Sequence, residues 1–144
     1  MAPQKINVMF VCFGNACRSP MAEAIARKEA GDVIEATSAG LYPLGEIPLH
    51  TREALQQNGY SAEGLASKRI APDAWKRADV VINLSGRLRE LEFEEYEKVQ
   101  DWQVEDPYGE DPATYQRILE EIRGRVRSLA KRLREEQRAA GKHE

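Results

Sequence analysis

Near its amino terminus the chain carries a thiol and a guanidinium six residues apart. Cys12 and Arg18 bracket the segment Cys12-Phe13-Gly14-Asn15-Ala16-Cys17-Arg18, and Ser19 and Pro20 follow. These residue types suit chemistry on an anion. Gly14 and Asn15 tolerate backbone angles that most residues avoid, so the chain can curl there and aim several N–H groups at one point. A helix starting just beyond would add the positive end of its dipole. Arg18 supplies a planar fork that matches phosphate oxygens. The same field favours the thiolate of Cys12 over the thiol. A thiolate beside a site for a tetrahedral anion is the equipment for nucleophilic displacement at phosphorus. The spacing alone is weak evidence. A lone cysteine is most often a buried, inert one. A Gly-containing turn could also hold a nucleotide phosphate, although neither GxGxxG nor GxxxxGK[ST] occurs in the chain.

Such a loop needs elements to hold it, and the flanking sequence supplies them. Ile6–Val11 is a short, mostly apolar run that reads as a buried strand. Ser19-Pro20 reads as an N-cap with proline at the first helical position, and Gly31 as the stop of that helix. Val33–Ala39 reads as a second strand closed by Gly40, followed by an irregular loop through Pro43, Gly45 and Pro48. Helices are expected over Thr51–Asn58, Pro72–Arg77 and the charged stretch Arg87–Lys98, and strands over Asp79–Leu84 and Val99–Val104. Asp111-Pro112 repeats the cap-and-proline signal. Beyond it Tyr115, Ile118, Leu119, Ile122, Val126, Leu129 and Leu133 form one helical stripe. Strands alternating with helices imply an α/β domain with a four-stranded parallel sheet, helices on both faces, and a phosphate-binding loop after the first strand. Ligands of such sheets bind at the carboxyl ends of strands.

The 144 residues fit a single domain spanning 1–144, with an ordered core over about 5–134 and a frayed polar tail over 135–144. Hydrophobic residues make up 42% and charged residues 31%, an ordinary globular balance. The net charge of −3 argues against nucleic acid as a partner. Two cysteines are too few for a disulfide scaffold, and the run Ile6 to Phe13 is too short to span a bilayer. The expectation is a cytoplasmic monomer with no membrane partner and no cofactor. His50 and His143 lack partner motifs, and no Cys/His spacing suggests a metal.

The string VCFGNACRSPMAEA resembles the loop of the low-molecular-weight protein tyrosine phosphatases, second cysteine and Arg-Ser-Pro exit included. The resemblance continues at Thr37–Gly40 (TSAG), Ala78–Leu84 (ADVVINL) and Glu105–Ile122 (EDPYGEDPATYQRILEEI), and so runs from about Ile6 to Leu133. It implies a phosphomonoester hydrolase, in particular one that dephosphorylates protein phosphotyrosine through a phosphocysteine on Cys12. Arg18 and the N–H groups of Phe13, Gly14, Asn15, Ala16 and Cys17 would bind the phosphoryl oxygens. Ser19 would stabilise the thiolate, and Asn15 would hold the loop in a strained shape. Asp106 would be the general acid. Phe13 and Tyr108 would wall the pocket, and Cys17 would be a reversible disulfide partner for Cys12. Cys17 also has the plainer reading of a small core residue behind the loop. The expected ligands are phosphotyrosyl proteins or aryl phosphates, and inorganic phosphate or similar oxyanions.

Chemistry agrees on the need for a remote acid. A phenolate leaves poorly without a proton, and the loop itself carries no carboxylate. Two Asp-Pro pairs compete. Asp111-Pro112 is explained as the cap of the long helix, whereas Asp106-Pro107 opens no periodic segment. Thiol-based arsenate reductases share this fold and loop, and the chain is similar to them in its compact middle region. Their thioredoxin-coupled members need a cysteine pair after the third strand, where this chain reads Asn83-Leu84-Ser85-Gly86-Arg87. Arsenate reduction with an external small thiol stays open. So does a non-catalytic oxyanion or phosphoprotein-binding module, although binding alone needs neither a thiolate nor an acid. The pocket rim, over 41–50 and 83–98, is too irregular for its specificity residues to be assigned.

Overall fold

The structure, a computed structural model, describes residues 5–141. Its elements are β1 (Ile6–Cys12), α1 (Arg18–Glu29), β2 (Ile34–Gly40), α2 (Leu49–Gln57), α3 (Pro72–Arg77), β3 (Val80–Asn83), α4 (Arg89–Glu92), β4 (Val99–Asp101) and α5 (Pro112–Gly141). The four strands form one parallel sheet in the order β2-β1-β3-β4. The chain leaves β1 toward β2 on one side and returns to pair β3 on the other. The crevice at the carboxyl end of β1 is therefore the switch point where α/β sheets bind ligands.

Alternation along β1 explains the two cores. Val8, Phe10 and Cys12 point to one face, where residues of α1, α2 and α5 pack, Ile25, Leu55, Ile118 and Ile122 among them. Met9 and Val11 point to the other face and meet Val81, Phe93 and Val99 under α3. The sheet is thus covered on both faces, as the alternation of elements requires. All seven residues of the stripe read along α5 are buried. Asp111 caps this helix, its Oδ1 accepting the Thr114 N–H at 2.9 Å. Among the described residues no helix is long and apolar enough to cross a membrane.

Four expectations need correction. Ser19 is not an N-cap: α1 begins at Arg18 after Cys17, and the Ser19 hydroxyl turns into the loop instead. The charged stretch Arg87–Lys98 does not form one helix. Only Arg89–Glu92 is α-helical, with a 3-10 turn at Tyr96–Lys98. Leu88 and Leu91 are 65% and 79% exposed, so they anchor no helical face. Phe93 instead takes an extended backbone and stacks on Trp75 at 5.6 Å. Strand β4 stops at Asp101 rather than Val104, and the chain then leaves the sheet edge. The ordered part does not end at 134, because α5 continues to Gly141. Its last turns are exposed but rich in Ala, Arg, Glu and Gln, all good helix formers. The chelated pair of Arg134 with Asp32, at 2.8 Å from both Nε and Nη2, ties this region to the β2 side of the domain. Residues 142–144, with His143, lie outside the described residues.

Candidate active site

The loop between β1 and α1 turns its carbonyls outward. The Cys12 oxygen accepts from Leu41 N at 3.2 Å, Phe13 from Tyr42 at 2.8 Å, and Gly14 from Leu44 at 2.9 Å. The Ala16 carbonyl accepts the Thr51 hydroxyl at 2.8 Å, and the Cys17 carbonyl accepts Met21 N at 3.1 Å. Among the described residues, no N–H of Phe13 through Cys17 donates to a protein acceptor. Carbonyls out and N–H groups in is the arrangement of an anion nest, and it opens at the start of α1.

Asn15 makes the curl possible. Its φ of 47° lies in the left-handed region, which asparagine tolerates better than most residues. Its buried amide then ties four segments together. Nδ2 donates to Ser19 Oγ at 2.8 Å and to Ser38 Oγ at 3.0 Å, and Oδ1 accepts the Lys68 N–H at 2.9 Å. The Ser38 hydroxyl donates to Glu23, a buried carboxylate paired with Arg27. Because Ser38 gives its proton to Glu23, its oxygen is left to accept from Asn15, which sets the amide's orientation. Ser19, accepting from Asn15, shares a hydrogen bond with the Cys12 Sγ at 2.9 Å, and the Ala39 carbonyl is a more distant acceptor for its hydroxyl at 3.4 Å.

Gly40 closes β2 opposite Cys12 in register. A Cβ there would lie 2.8 Å from the Asn15 nitrogen and 2.9 Å from its Cβ. The glycine is required by space. Glu23, Ser38 and Gly40 were not assigned to the site from sequence. The string TSAG marked the place, but only the register of β2 on β1 brings it beneath the loop.

Arg18 is buried. Its Nη1 donates to the Val104 carbonyl at 3.1 Å, its Nη2 lies 3.5 Å from Asp106 Oδ2, and its Nε has no partner in the protein. A buried, unpaired guanidinium N–H is costly unless a ligand takes it up. Asp106 is about half exposed and is held by its own turn, its Oδ1 accepting the Tyr108 N–H at 3.1 Å. Of the two Asp-Pro pairs, Asp106 thus faces Arg18, while Asp111 caps α5. The Thr114 hydroxyl and N–H hold the Asp111 carboxyl below the usual carboxylate range.

A pocket of about 230 Å³ opens above the loop, lined by Cys12, Phe13, Gly14, Ala16, Cys17, Arg18, Tyr42, Leu44, Asp106 and Tyr108. Among the expected residues, only Asn15 and Ser19 are absent from the lining, since both lie behind the loop and are fully buried. Tyr42 and Leu44 come from the irregular rim. The Tyr42 ring leans on Phe13 at 5.2 Å between centroids, and the Arg87 guanidinium lies 5.2 Å from the same Phe13 ring. Cys12 and Cys17 are both free thiols. Burial pushes the Cys17 thiol up, and its Sγ lies 3.7 Å from the Tyr115 hydroxyl, itself raised by burial.

The sequence model of the family described as low molecular weight phosphotyrosine protein phosphatase matches residues 7–139. The chain is 31% identical over 128 residues to "Arsenate reductase 1" of Bacillus cereus, covering 88% of this chain and 95% of that one. It is 30% identical over 151 residues to a protein-arginine-phosphatase of Bacillus subtilis, covering 92% of this chain and 100% of the other. Among solved structures, the low molecular weight protein tyrosine phosphatase from T. tengcongensis superposes with a TM-score of 0.79 at 30% identity, covering 89% of this chain and 99% of that one. With the cysteine loop, the β2-β1-β3-β4 sheet and a match over nearly its whole length, the chain belongs to the low molecular weight phosphotyrosine protein phosphatase family.

Proposed function

We propose that the protein hydrolyses aryl phosphate monoesters, protein phosphotyrosine foremost, through a phosphocysteine on Cys12. The phosphoryl oxygens are held by the loop N–H groups and by the Nε–H of Arg18. The Ser19 hydroxyl donates to Cys12 Sγ and favours the thiolate. Cys12 attacks phosphorus, the S–P bond forms, and the bond from phosphorus to the aryl oxygen breaks. The Asp106 carboxyl gives its proton to the departing oxygen. In the second step the Asp106 carboxylate takes a proton from water as the water attacks phosphorus. The S–P bond breaks, the thiolate returns and phosphate leaves.

The observation that carries this reading is the aromatic wall. Phe13, Tyr42 and Tyr108 line the space directly above the cysteine loop. A flat ring in transit fills such a slot, whereas a bare oxyanion has no use for it. A second reading, arsenate reduction, is favoured by the similarity to arsenate reductases. There Cys12 would form a thiol adduct of arsenic, and a second thiol, Cys17 or an external small one, would take the sulfur. That reduces arsenic(V) to arsenic(III) and leaves a disulfide.

A panel of three substrates tests the reading: a phosphotyrosyl peptide, a phosphoarginyl peptide, and arsenate with glutathione or reduced thioredoxin. Phosphotyrosyl turnover is expected to have the highest kcat/KM. Faster cleavage of phosphoarginine, or arsenate reduction without phosphotyrosine hydrolysis, would overturn it. No turnover of any of the three would leave a binding module.

Gly40→Ala is expected to keep the fold by circular dichroism and to cut aryl phosphate turnover about 10²-fold, because the added methyl displaces Asn15 and with it the loop. Unchanged turnover would mean that the loop yields without cost.

Cys17 is proposed as the partner that rescues an oxidised Cys12. Peroxide converts the Cys12 thiolate to a sulfenic acid, and the Cys17 thiol condenses with it, releasing water and closing a disulfide that an external thiol reopens. Cys17→Ala is expected to turn over like wild type before oxidation, and to recover far less activity after peroxide followed by dithiothreitol. Equal recovery by the two proteins would remove this role.

A further inference from the structure

We propose that Arg87 selects substrates that carry an acidic side chain next to the phosphorylated residue. The inference rests on the aryl phosphatase reading and concerns the mouth of that same pocket.

The turn that carries Arg87 is built. It leaves the carboxyl end of β3 at Asn83, a side chain that is 2% exposed. Asn83 Oδ1 accepts both the N–H and the hydroxyl of Ser85, at 3.1 and 2.6 Å, and its Nδ2 donates to the Arg87 carbonyl at 2.9 Å. Ser85 Oγ in turn accepts the Arg87 N–H at 3.1 Å. Gly86, with φ of +80°, makes the tight reversal between them. The Asn83 amide also bonds Asp101 on β4, which anchors the turn to two strands. The position of the Arg87 backbone is therefore fixed by the sheet.

From that position the guanidinium lies on the Phe13 ring, within cation–π range. Phe13 lines the pocket and is 37% exposed, so this charge stands at the pocket's mouth. Among the described residues Arg87 makes no ion pair. Of the cations that follow in the chain, Arg89 donates to the Val99 carbonyl, and Lys98, at the opposite end of the strands, to the Trp75 and Ala78 carbonyls. Inside the pocket the Arg18 guanidinium faces the Asp106 carboxyl at 3.5 Å and shares the lining with the Cys12 thiol, groups already assigned to the phosphoryl transfer. Arg87 stands outside that lining, at the rim, so its charge acts on groups flanking the phosphorylated residue rather than on the phosphoryl group. An exposed pair of this kind contributes little by itself, and a cleft strengthens it somewhat. It acts through association and is screened by salt. Glu46 and Glu110 stand in the loops that carry Leu44 and Tyr108, so the assignment is read from the change on substituting Arg87, not from peptide preference alone.

The experiment compares kcat/KM for two phosphotyrosyl peptides that differ only in having glutamates or lysines beside the phosphotyrosine. The acidic-to-basic ratio is measured for wild type, Arg87→Lys and Arg87→Glu. Using the ratio cancels any general loss of activity in a variant. Reversing the charge is expected to lower the ratio about tenfold, and Arg87→Lys to keep it within about twofold of wild type. The wild-type ratio is expected to collapse toward one as ionic strength approaches ~1 M, where the Debye length is about 3 Å. A ratio equal in wild type and Arg87→Glu, or one indifferent to salt, overturns the assignment while leaving the phosphatase reading standing. Failure of wild type to cleave either peptide overturns both.

Discussion

Cys12→Ser is expected to lose turnover of phosphotyrosine and of nitrophenyl phosphate by on the order of 10⁴–10⁶-fold, while still binding inorganic phosphate. A serine hydroxyl in the same place is a far weaker nucleophile at neutral pH, and no base in the loop can activate it. The Ser19 hydroxyl beside it already accepts from Asn15, and a neutral hydroxyl is no base. The groups assigned to hold the anion, the loop N–H donors and the Nε–H of Arg18, are untouched by the change. Binding can be followed by titration calorimetry, or by the rise in melting temperature that a ligand specific to the folded state produces. Wild-type turnover by the serine variant would dismiss Cys12 as the nucleophile. Loss of phosphate binding along with turnover would show that the thiolate, rather than the nest, organises the site.

The second large effect is expected at Asp106 and depends on the leaving group. Asp106→Asn is expected to slow phosphotyrosine hydrolysis about 10²–10⁴-fold, because tyrosine leaves as a strong base and needs the proton. The loss is expected to shrink markedly for nitrophenyl phosphate, whose phenolate departs unaided. Asp111→Asn is the control five residues away. Asparagine is also a good N-cap, so catalysis there is expected to stay near wild type with a slight change in melting temperature. A defect in Asp106→Asn that is the same for both esters would reassign Asp106 to holding Arg18, with which it pairs.

The strands and long helices could be read from the sequence because their signals are local or periodic. Val8 to Val11 is apolar without a break, and the α5 stripe repeats at helical spacing over five turns and more. The cysteine loop was readable for a different reason: its residue types have few joint uses besides anion binding. What could not be read depended on contacts between distant segments. Ser19 looks like a helix cap, and its hydroxyl would serve as one if Asn15 and Cys12 did not claim it. The stretch Arg87–Lys98 has helix-forming composition, but Phe93 gains more by stacking on Trp75 than by continuing a helix with no buried face. Tyr42 enters the pocket wall only because the Phe13 carbonyl receives its N–H. Nothing near Arg87 in the chain indicates that its guanidinium will meet Phe13, which precedes it by most of the sheet.

Lys68 lies in a stretch without helix or strand, the kind of segment in which related chains usually differ in length. Here that freedom stops short. The Lys68 N–H is spent on Asn15, its carbonyl accepts Gly40 N at 2.8 Å, and the neighbouring Ser67 hydroxyl donates to the Gly14 carbonyl at 3.0 Å. An irregular loop has thereby become a support of the cysteine loop. Insertions or deletions can be absorbed in the turns on either side of it, near Gly64 or beyond Ile70. One placed between Ser67 and Arg69 would move a backbone amide away from Asn15, and the change would be felt at the thiol without touching any residue of the cysteine loop.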